Sequence, residues 1–464
     1  MMMLMSQAAR ATGGQLAGQD AAFDAVSSDS RKIAAGDLFI ALKGEKFDGA
    51  EFVPGALKDG AVAAMVNENS RAALSAALPP GACILYVDDT RLALGRLAAH
   101  WRAQFDIPLA AITGSNGKTT VKEMLASVLR EAAGSAEAVL ATQGNLNNDI
   151  GMPLTLRKLR TAHRYAVIEM GMNHPGEIDY LTRIARPSVA IVNNASGAHL
   201  AGLGTVEAVA RAKGEIFAGL AEDGVAVINA DDDHAPLWRE LAGTHKRIEF
   251  GLECAVAVHG QWQVRGYGAH VEIDTPQGSL QAMLQVPGAH NVRNALAVTA
   301  AATALHIPPA TIARGLEKFS GVAGRMQRKT ALRGAMLIDD TYNANPASLR
   351  SAIRVLAQAT GRKILVLGDM GELGSDAVQL HAAIGAEARD AGVDELLALG
   401  ELSAHAATAF GPGACHFADA ENLCSALQEK LNAGVTVLVK GSRFMKMERV
   451  VAHCTEKEKE KACC

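Results

Sequence analysis

One glycine-rich loop constrains the fold of this chain more than any other feature. The apolar stretch Pro108–Thr113 runs into the loop Thr113-Gly-Ser-Asn-Gly-Lys-Thr-Thr120, and a helical stretch, Val121–Leu129, follows. A strand–loop–helix unit of this kind points backbone N–H groups and a helix N-terminus at phosphate oxygens. The loop therefore predicts an α/β domain that binds the phosphates of ATP at the end of a parallel strand.

Two side chains of this loop are suited to nucleotide chemistry. Lys118 would neutralise the β- and γ-phosphates, and Thr119 would offer its hydroxyl to Mg²⁺. The spacing departs from the standard phosphate loop, because Ile112 stands where that loop has a glycine six residues before the lysine. A chance glycine turn that caps a helix is the alternative, but the strand, the lysine and two threonines together favour ATP. The predicted ATP contacts here are Gly114, Ser115, Asn116, Gly117, Lys118, Thr119 and Thr120.

The length of 464 residues exceeds a single hydrophobic core, so we expect several domains. Residues 1–104 alternate short apolar stretches with alanine-rich helical ones and predict a small α/β domain. Residues 105–322 contain near-continuous apolar strands, typical of a buried parallel sheet, with an antiparallel extension around 254–286. Residues 323–464 repeat the α/β rhythm and predict a second doubly wound, Rossmann-like sheet. The predicted fold class is therefore three-domain α/β.

Composition excludes several classes of protein. A net charge of −4 and an aromatic content of 4% favour neither a phosphate-backbone binder nor a base-stacking platform, so we expect no nucleic acid partner. No stretch is long enough to span a membrane, and the start is too short for a signal peptide. The cysteines show no metal or disulfide spacing, and the interpretation is buried or idle thiols at Cys83, Cys254, Cys415 and Cys424. We expect a cytoplasmic protein and, since no long heptad occurs, a monomer.

Three polar side chains of the second segment are candidate site residues. Glu169 ends the apolar strand Tyr165–Met170, where a carboxylate beside a phosphate loop is suited to holding Mg²⁺, although a turn residue is the alternative. His199 follows another strand and would by itself more often be structural or solvated. Lys213 lies in a helical stretch of mixed charge and by itself predicts an exposed lysine.

Further polar groups open a helix or follow strands. His290, Asn291 and Asn294 follow Val286-Pro-Gly288, where they could bind a ligand or cap the helix. Three polar loops at three strand ends of the third segment would line one rim, which favours a binding site over turns held by their own side chains. These loops are Asp339-Asp-Thr-Tyr-Asn-Ala-Asn-Pro346, Gly368-Asp-Met-Gly-Glu-Leu-Gly374 and Lys440-Gly-Ser-Arg443.

Taken together, these motifs resemble the Mur ligase family over nearly the whole chain. The shortened glycine loop is the family's own variant, and it is shared with folylpolyglutamate synthases. The loops at Asp339–Pro346 and Gly368–Gly374 resemble the member that adds D-alanyl-D-alanine to UDP-N-acetylmuramoyl-tripeptide. The resemblance implies an ATP- and Mg²⁺-dependent amide ligase that works through an acyl phosphate. It implies a UDP-binding first domain, an ATP-binding central domain, and a third domain that closes over ATP and binds the dipeptide.

The resemblance also implies roles for individual residues. Glu169 and His199 match magnesium-site positions, Thr119 joins them, and Lys213 matches a lysine that becomes carbamylated, which requires a lowered amine pKa. Lys118, Glu169, His199 and Lys213 are the catalytic candidates. The further ATP contacts are His290, Asn291, Asn294, Arg325 and Asp340. The substrate contacts are Ser30, Arg31, Lys43, Gly44, Asp48, Gly49, Thr142, Asn145, Asn147, Asn148, Tyr342, Asn343 and Asn345.

Two other functions remain open from the sequence. A sibling ligase that adds the third residue, or a folylpolyglutamate synthase, would share the ATP site, and the Asp339–Pro346 loop argues against both. A nucleotide-switched binding protein would need only the phosphate loop. Steady turnover that depends on an amine would distinguish an enzyme from that switch.

Overall fold

The computed structural model describes residues 1–44, 47–197 and 203–455. The strands are β1 Met3–Leu4, β2 Gln15–Ala17, β3 Ala22–Phe23, β4 Ala25–Ser27, β5 Asp37–Ile40, β6 Ala63–Asn67, β7 Ile84–Val87, β8 Leu109–Thr113, β9 Val139–Ala141, β10 Tyr165–Glu169, β11 Val189–Val192, β12 Val225–Asn229, β13 Lys246–Gly251, β14 Val258–Arg265, β15 Gly268–Thr275, β16 Gly278–Leu284, β17 Gln327–Thr330, β18 Met336–Asp340, β19 Arg362–Gly368, β20 Glu395–Leu399, β21 Ala414–Phe417 and β22 Val435–Lys440. The α-helices are α1 Met5–Thr12, α2 Val53–Lys58, α3 Arg71–Ala77, α4 Thr90–Arg102, α5 Lys118–Ala133, α6 Gly151–Leu156, α7 Glu177–Ala185, α8 Val206–Gly214, α9 Ala235–Leu241, α10 Ala289–Ala304, α11 Pro309–Lys318, α12 Pro346–Ala357, α13 Ala377–Asp390, α14 Ser403–Phe410, α15 Ala420–Lys430 and α16 Glu448–Cys454.

The first domain is built on a five-stranded sheet in the order β2-β7-β6-β5-β4. Strands β4 to β7 are parallel, and β2 runs antiparallel at the edge. A separate pair, β1 with β3, ties the chain start down and buries Met5 and Phe23 fully. Sequence reasoning gave no structure to this start, because two-residue strands carry no periodic pattern.

The central domain is a nine-stranded sheet in the order β16-β15-β14-β13-β12-β11-β8-β10-β9. The strands from β8 to β13 pair in parallel, and β14, β15 and β16 form an antiparallel meander. This meander is the antiparallel extension that the sequence predicts around 254–286. Helices α5, α10 and α11 cover one face of the sheet, and α4, α6, α7, α8 and α9 cover the other. Both faces are buried, which explains the continuous apolar runs of the parallel strands.

The third domain is a six-stranded sheet in the order β17-β18-β22-β19-β20-β21. Its strands are parallel except for β17 at one edge. Helices α12, α13 and α14 pack on one face, and α15 and α16 pack on the other, so the sheet is doubly wound as predicted. The three-domain α/β fold class is confirmed. The boundaries at residues 104 and 322 stay predictions, although each large sheet draws its strands from one predicted segment only.

Two smaller expectations concern membrane spans and cysteines. Among the helices of the described ranges, none combines the length and the apolar character that crossing a bilayer requires. All four cysteines are free, as the interpretation of buried or idle thiols requires: Cys83 and Cys424 are buried, whereas Cys254 and Cys415 are exposed. Cys254 lies in the loop after β13, and Cys415 lies in the edge strand β21.

Candidate active site

A cleft of about 1380 Å³ lies where the carboxyl ends of the central and third sheets face each other. All three domains contribute to its wall, the first domain through Arg91 and Leu92 at the start of α4. Ligands of open α/β sheets bind beyond the carboxyl ends of strands, so this position is the expected one for a site. The cleft brings together the following predicted site residues: Ser115, Asn116, Gly117, Lys118, Thr119, Thr120, Asn145, Asn147, Asn148, Glu169, His290, Asn291, Asn294, Arg325, Asp340, Tyr342, Asn343 and Asn345.

The glycine loop adopts a conformation that only glycine tolerates at one key position. Gly117 has φ +81°, and a Cβ there would lie 2.5 Å from the side-chain oxygen of Asn294. Helix α5 begins directly afterwards at Lys118, so its free N–H groups face the cleft. The Lys118 Nζ donates to the Gly114 carbonyl at 2.6 Å. Burial lowers the pKa of Lys118, the nearby Glu169 carboxylate raises it, and Arg325 lowers it further.

A chain of side chains joins the loop to the end of β10. The Thr119 hydroxyl donates to Glu169 Oε2 at 2.8 Å, and Asn147 Nδ2 donates to Glu169 Oε1 at 2.8 Å. Arg325 of the third domain donates to the same Thr119 hydroxyl at 2.9 Å, so it reaches the loop from across the cleft. Glu169 is almost fully buried. A buried carboxylate beside a threonine hydroxyl is a hard oxygen donor set of the kind that Mg²⁺ prefers.

Two predicted residues differ from their expected surroundings. Lys213 is fully buried on α8, whereas its helix pattern predicts an exposed lysine. Its burial and the neighbouring charge of Lys118 lower its pKa well below the ordinary lysine value. Within the part of the chain that the structure describes, no hydrogen-bond or ion-pair partner faces its amine. His199 lies outside the described residues.

Thr142 is buried and does not line the cleft. Its hydroxyl accepts a hydrogen bond from the Glu169 amide at 3.0 Å, and its carbonyl accepts one from the buried Lys122 ammonium. Thr142 therefore supports the strand end that carries Glu169, whereas Asn145, Asn147 and Asn148 of the same segment line the cleft. Substrate contact by these four residues stays a prediction. Within the described ranges, no group of three or more His, Cys, Asp or Glu side chains is arranged to hold a metal ion.

The start of α10 presents a buried polar row to the cleft. Asn291 Nδ2 donates to the Pro287 carbonyl at 2.8 Å, and Asn294 Nδ2 donates to Asn291 Oδ1 at 3.2 Å. These bonds orient both amides without capping the helix N–H groups, which weakens the capping interpretation. Burial lowers the pKa of His290 to about 4, although Asp340 raises it. His290 is therefore neutral at pH 7 and can hydrogen-bond as an uncharged imidazole.

The third domain reaches the central domain through the loop after β18. Asn345 Nδ2 donates to Asn116 Oδ1 at 2.9 Å, and its Oδ1 accepts the Ser348 amide, so it bridges the domains and also caps α12. The Arg325 guanidinium stacks on the Tyr342 ring at 4.1 Å. Asp340 accepts a hydrogen bond from the buried Lys440 ammonium at 2.6 Å. The alternative interpretation, a turn held by its own side chains, is therefore also met in part, and the same loop lines the cleft.

Sequence reasoning missed an asparagine network beneath the glycine loop. Asn194 Oδ1 accepts the Asn116 amide at 2.9 Å, and Asn193 Nδ2 donates to the Asn116 carbonyl at 3.0 Å. Asn229 at the end of β12 donates to the Asn193 carbonyl at 2.9 Å. Each of these residues ends or follows a parallel strand. That position in the sequence could have indicated a place at the site, because ligands bind beyond the carboxyl ends of such strands. Lys440 was noted only as part of a strand-end loop, although it pairs with Asp340.

The predicted UDP contacts lie apart from the cleft. Ser30 and Arg31 follow β4, and the described residues Lys43, Gly44, Asp48 and Gly49 follow β5, so both groups lie at the carboxyl edge of the first sheet. Arg31 pairs with Asp29 at 2.8 Å and is mostly exposed. Asp48 caps the Ala50 amide. The six contacts that do not line the cleft, all within the described residues, are Ser30, Arg31, Lys43, Gly44, Asp48 and Gly49.

The matches to protein families follow the three sheets. The Mur ligase family catalytic domain matches residues 22–102, the Mur ligase middle domain matches 112–302, and the Mur ligase glutamate ligase domain matches 324–443. UDP-N-acetylmuramoyl-tripeptide–D-alanyl-D-alanine ligase of Escherichia coli (strain K12) is 42% identical over 96% of this chain and 97% of its own. This chain belongs to the Mur ligase family. As a Mur ligase, it combines one nucleotide-loop domain with two flanking α/β domains.

Solved structures resemble this Mur ligase over nearly its whole length. MurF from Acinetobacter baumannii has a TM-score of 0.88 and 37% identity, and the match covers 96% of this chain and 97% of that one. The MurF ligase of Thermotoga maritima in complex with ADP has a TM-score of 0.82 and 26% identity, with 92% and 96% covered. The order of the three domains in the Mur ligase is therefore shared with both.

Proposed function

We propose that this Mur ligase joins D-alanyl-D-alanine to UDP-N-acetylmuramoyl-tripeptide at the expense of ATP. The observation that carries the proposal is the near full-length similarity to the Escherichia coli ligase of that name. The ADP complex of the Thermotoga maritima relative supports ATP as the phosphoryl donor. The glycine loop and the polar row of α10 line the same cleft as the third-domain loops, which supports a nucleotide site there.

The first chemical step activates the tripeptide. Its terminal carboxylate attacks the γ-phosphorus of ATP, which gives an acyl phosphate and ADP. Phosphoryl transfer of this kind depends mainly on positioning and on stabilising charge. Lys118 and the N–H groups at the start of α5 would hold the phosphates, and Arg325 would add positive charge from the third domain.

Mg²⁺ fits the donor set around the glycine loop. The Thr119 hydroxyl and the Glu169 carboxylate would hold it, with His199 and a carbamylated Lys213 as proposed further ligands. Bound Mg²⁺ supplies charge neutralisation for the phosphates. The amine of Lys213, which is buried and has no polar partner among the described residues, supports carbamylation, because only a neutral amine attacks CO₂ and burial favours the neutral form.

The second step forms the amide. The amine of the dipeptide attacks the acyl carbon, and the tetrahedral intermediate expels phosphate. Tyr342, Asn343 and Asn345 would contact substrate from the third domain, and Asn145, Asn147 and Asn148 would face the muramoyl-tripeptide. The loops around Arg31 and Lys43 would bind the uridine diphosphate at the first sheet.

We further propose that the enzyme acts as a cytoplasmic monomer.

Phosphate release in the presence of ATP, Mg²⁺ and the UDP-tripeptide, with and without D-alanyl-D-alanine, tests this function. We expect turnover only when both substrates are present, with the pentapeptide product identified by mass spectrometry. Lys118→Ala should reduce kcat/KM by on the order of 100-fold or more, because it removes a charge that stabilises the transferring group. Turnover with single amino acids or with folates, but not with the dipeptide, would overturn the proposal.

A further inference from the structure

The wall segment, which we define as residues 369–373, forms one side of the cleft in an unusual conformation. Gly371, Glu372 and Leu373 line the cleft directly after β19. Glu372 has φ +62°, a left-handed conformation that a non-glycine residue rarely adopts. Such a conformation persists only where surrounding contacts enforce it, and it occurs preferentially at ligand sites.

Two consecutive amides before Glu372 are held by side chains from other elements. The Met370 amide donates to His381 Nε2 at 2.9 Å, and the Gly371 amide donates to Ser442 Oγ at 2.8 Å. Ser442 in turn donates to the Ala344 carbonyl at 3.1 Å. The two side chains therefore fix the wall segment and tie it to the loops after β18 and β22.

The contacts of His381 define its protonation state. His381 is fully buried on α13, and its Nδ1 lies 2.7 Å from the Ala377 carbonyl. A carbonyl only accepts and an amide N–H only donates, so Nδ1 carries the proton and Nε2 is bare. A second proton on Nε2 would oppose the Met370 N–H and break that bond. The charged or titratable groups that face the ring are Asp369, on the wall segment, and His405, on α14.

The position of the wall segment favours the acceptor rather than ATP. The loop after β18 makes the contacts with the glycine loop, through Asn345 and Asn116. Strand β22 separates β18 from β19, so the wall segment lies about 10 Å farther along the sheet. Phe444 and Arg443 of the loop after β22 line the cleft beside it.

We propose that His381 is a positioning residue that fixes the wall segment through the Met370 amide and so shapes the binding site for the acceptor dipeptide. The proposal rests on the proposed function only for the identity of the acceptor. His381 itself touches no substrate. Its neutral tautomer is the working form, and burial lowers its pKa and so favours that form.

Kinetics of His381 variants in the full-length enzyme test the proposal. His381→Leu leaves the Met370 amide without an acceptor, and we expect the KM for D-alanyl-D-alanine to rise about 10-fold while the KM for ATP changes less than about two-fold. His381→Gln keeps an acceptor and a donor, so its KM should stay close to that of the wild type. His453→Gln, at an exposed position on α16, is the matched control. Equal changes in both KM values for His381→Leu, or no change in either, would overturn the proposal.

The pH profile and amide exchange provide tests that do not depend on the leucine variant. Burial keeps the pKa of His381 below the ordinary value of 6.5, so below that pH the KM for the dipeptide should rise more steeply in the wild type than in His381→Gln, because glutamine does not titrate and protonation of the dipeptide amine affects both enzymes equally. Relative to the intrinsic amide exchange rate, which itself falls on acidification, hydrogen exchange of residues 369–373 should accelerate in the wild type only. The same acceleration in His381→Gln would exclude His381 as the cause. Hydrogen exchange does not require turnover. The exchange result therefore tests the role of His381 even if the proposed function is wrong.

Discussion

At the scale of single residues, two lysines lie close enough for like charges to repel. Burial lowers the pKa of both Lys118 and Lys213, and the charge of Lys118 lowers the pKa of Lys213 further. Lys118 has loop carbonyls as partners, whereas the amine of Lys213 has no polar partner among the residues that the structure describes. A buried amine without a partner destabilises a fold, so its presence indicates a function.

Replacing Lys213 should separate stability from activity. We expect Lys213→Met to raise the free energy of unfolding by about 1–3 kcal/mol, because it removes a buried amine that has no polar partner among the described residues and keeps the side-chain volume. Phosphate release should fall on the order of 100-fold or more. Lys58→Met, on the exposed end of α2, is the control and should change neither quantity. Denaturant melts in carbonate-free buffer measure the first effect, and a less stable Lys213→Met protein would contradict it.

His290 predicts a pH dependence of stability. Its pKa is about 4 in the folded chain against an ordinary value of 6.5, so between these limits the unfolded state binds more protons. The free energy of unfolding should therefore fall as the pH decreases through this window. Above the window, His290 should no longer make the free energy of unfolding depend on pH. Denaturant melts without nucleotide should show a flatter dependence for His290→Asn. A slope unchanged by this variant, as expected for the exposed control His453→Asn, would count against the prediction.

At the scale of elements, the junction between the first two domains depends on a close helix contact. Helix α4, at the end of the first domain, packs on α7 of the central domain, and Gly95 contacts Tyr180 and Ile184 there. A Cβ at Gly95 would lie 1.9 Å from the Tyr180 hydroxyl, which is buried without a hydrogen-bond partner. The small residue therefore sets how closely the two helices approach.

Gly95→Ala should destabilise the protein by about 1–3 kcal/mol, because the added methyl group overpacks this contact. Gly55→Ala, in α2 with no atom within 4 Å of the new Cβ, is the matched control and should stabilise by about 0.5–1 kcal/mol. Adding Tyr180→Phe to Gly95→Ala should recover part of the loss, since it removes the nearest atom. Thermal melts that rank Gly95→Ala with Gly55→Ala would disprove the packing argument.

At the scale of the whole molecule, the reaction requires groups from separate domains to meet. Direct side-chain contacts across the cleft include Arg325 to Thr119 and Asn345 to Asn116, and Tyr267 of the central meander donates to the Met326 carbonyl at 2.8 Å. A few polar contacts of this kind permit opening and closing. Closure would also exclude water from the acyl phosphate, which hydrolyses readily.

We therefore expect ligands to compact the molecule. Small-angle scattering should give a smaller radius of gyration with an ATP analogue plus the UDP-tripeptide than without ligands. Arg325→Ala should reduce this change, because it removes the side chain that reaches Thr119 from the third domain. Lys58→Ala provides a control on a distant surface. Identical dimensions with and without both ligands would refute domain closure.

Features that arise from local patterns could be predicted from the sequence alone. The apolar runs predicted the parallel strands, and the glycine loop and the polar loops after strands predicted the rim of the cleft, because strand ends on one sheet share an edge. These signals need only neighbouring residues, so a single chain displays them. The Mur ligase motifs were recognisable for the same reason, since each is a short run such as Asp339–Pro346.

Only the tertiary structure decided which distant residues meet. The helix pattern around Lys213 predicted exposure, yet packing of α8 under the central sheet buries it. Arg325 meets Thr119 across 206 residues, and His381 meets the Met370 amide from a separate helix. Thr142 supports the backbone at Glu169 from a separate segment, a contact that the local sequence did not indicate. Such contacts depend on how helices and sheets pack, and side-chain burial depends on the whole fold rather than on the local sequence.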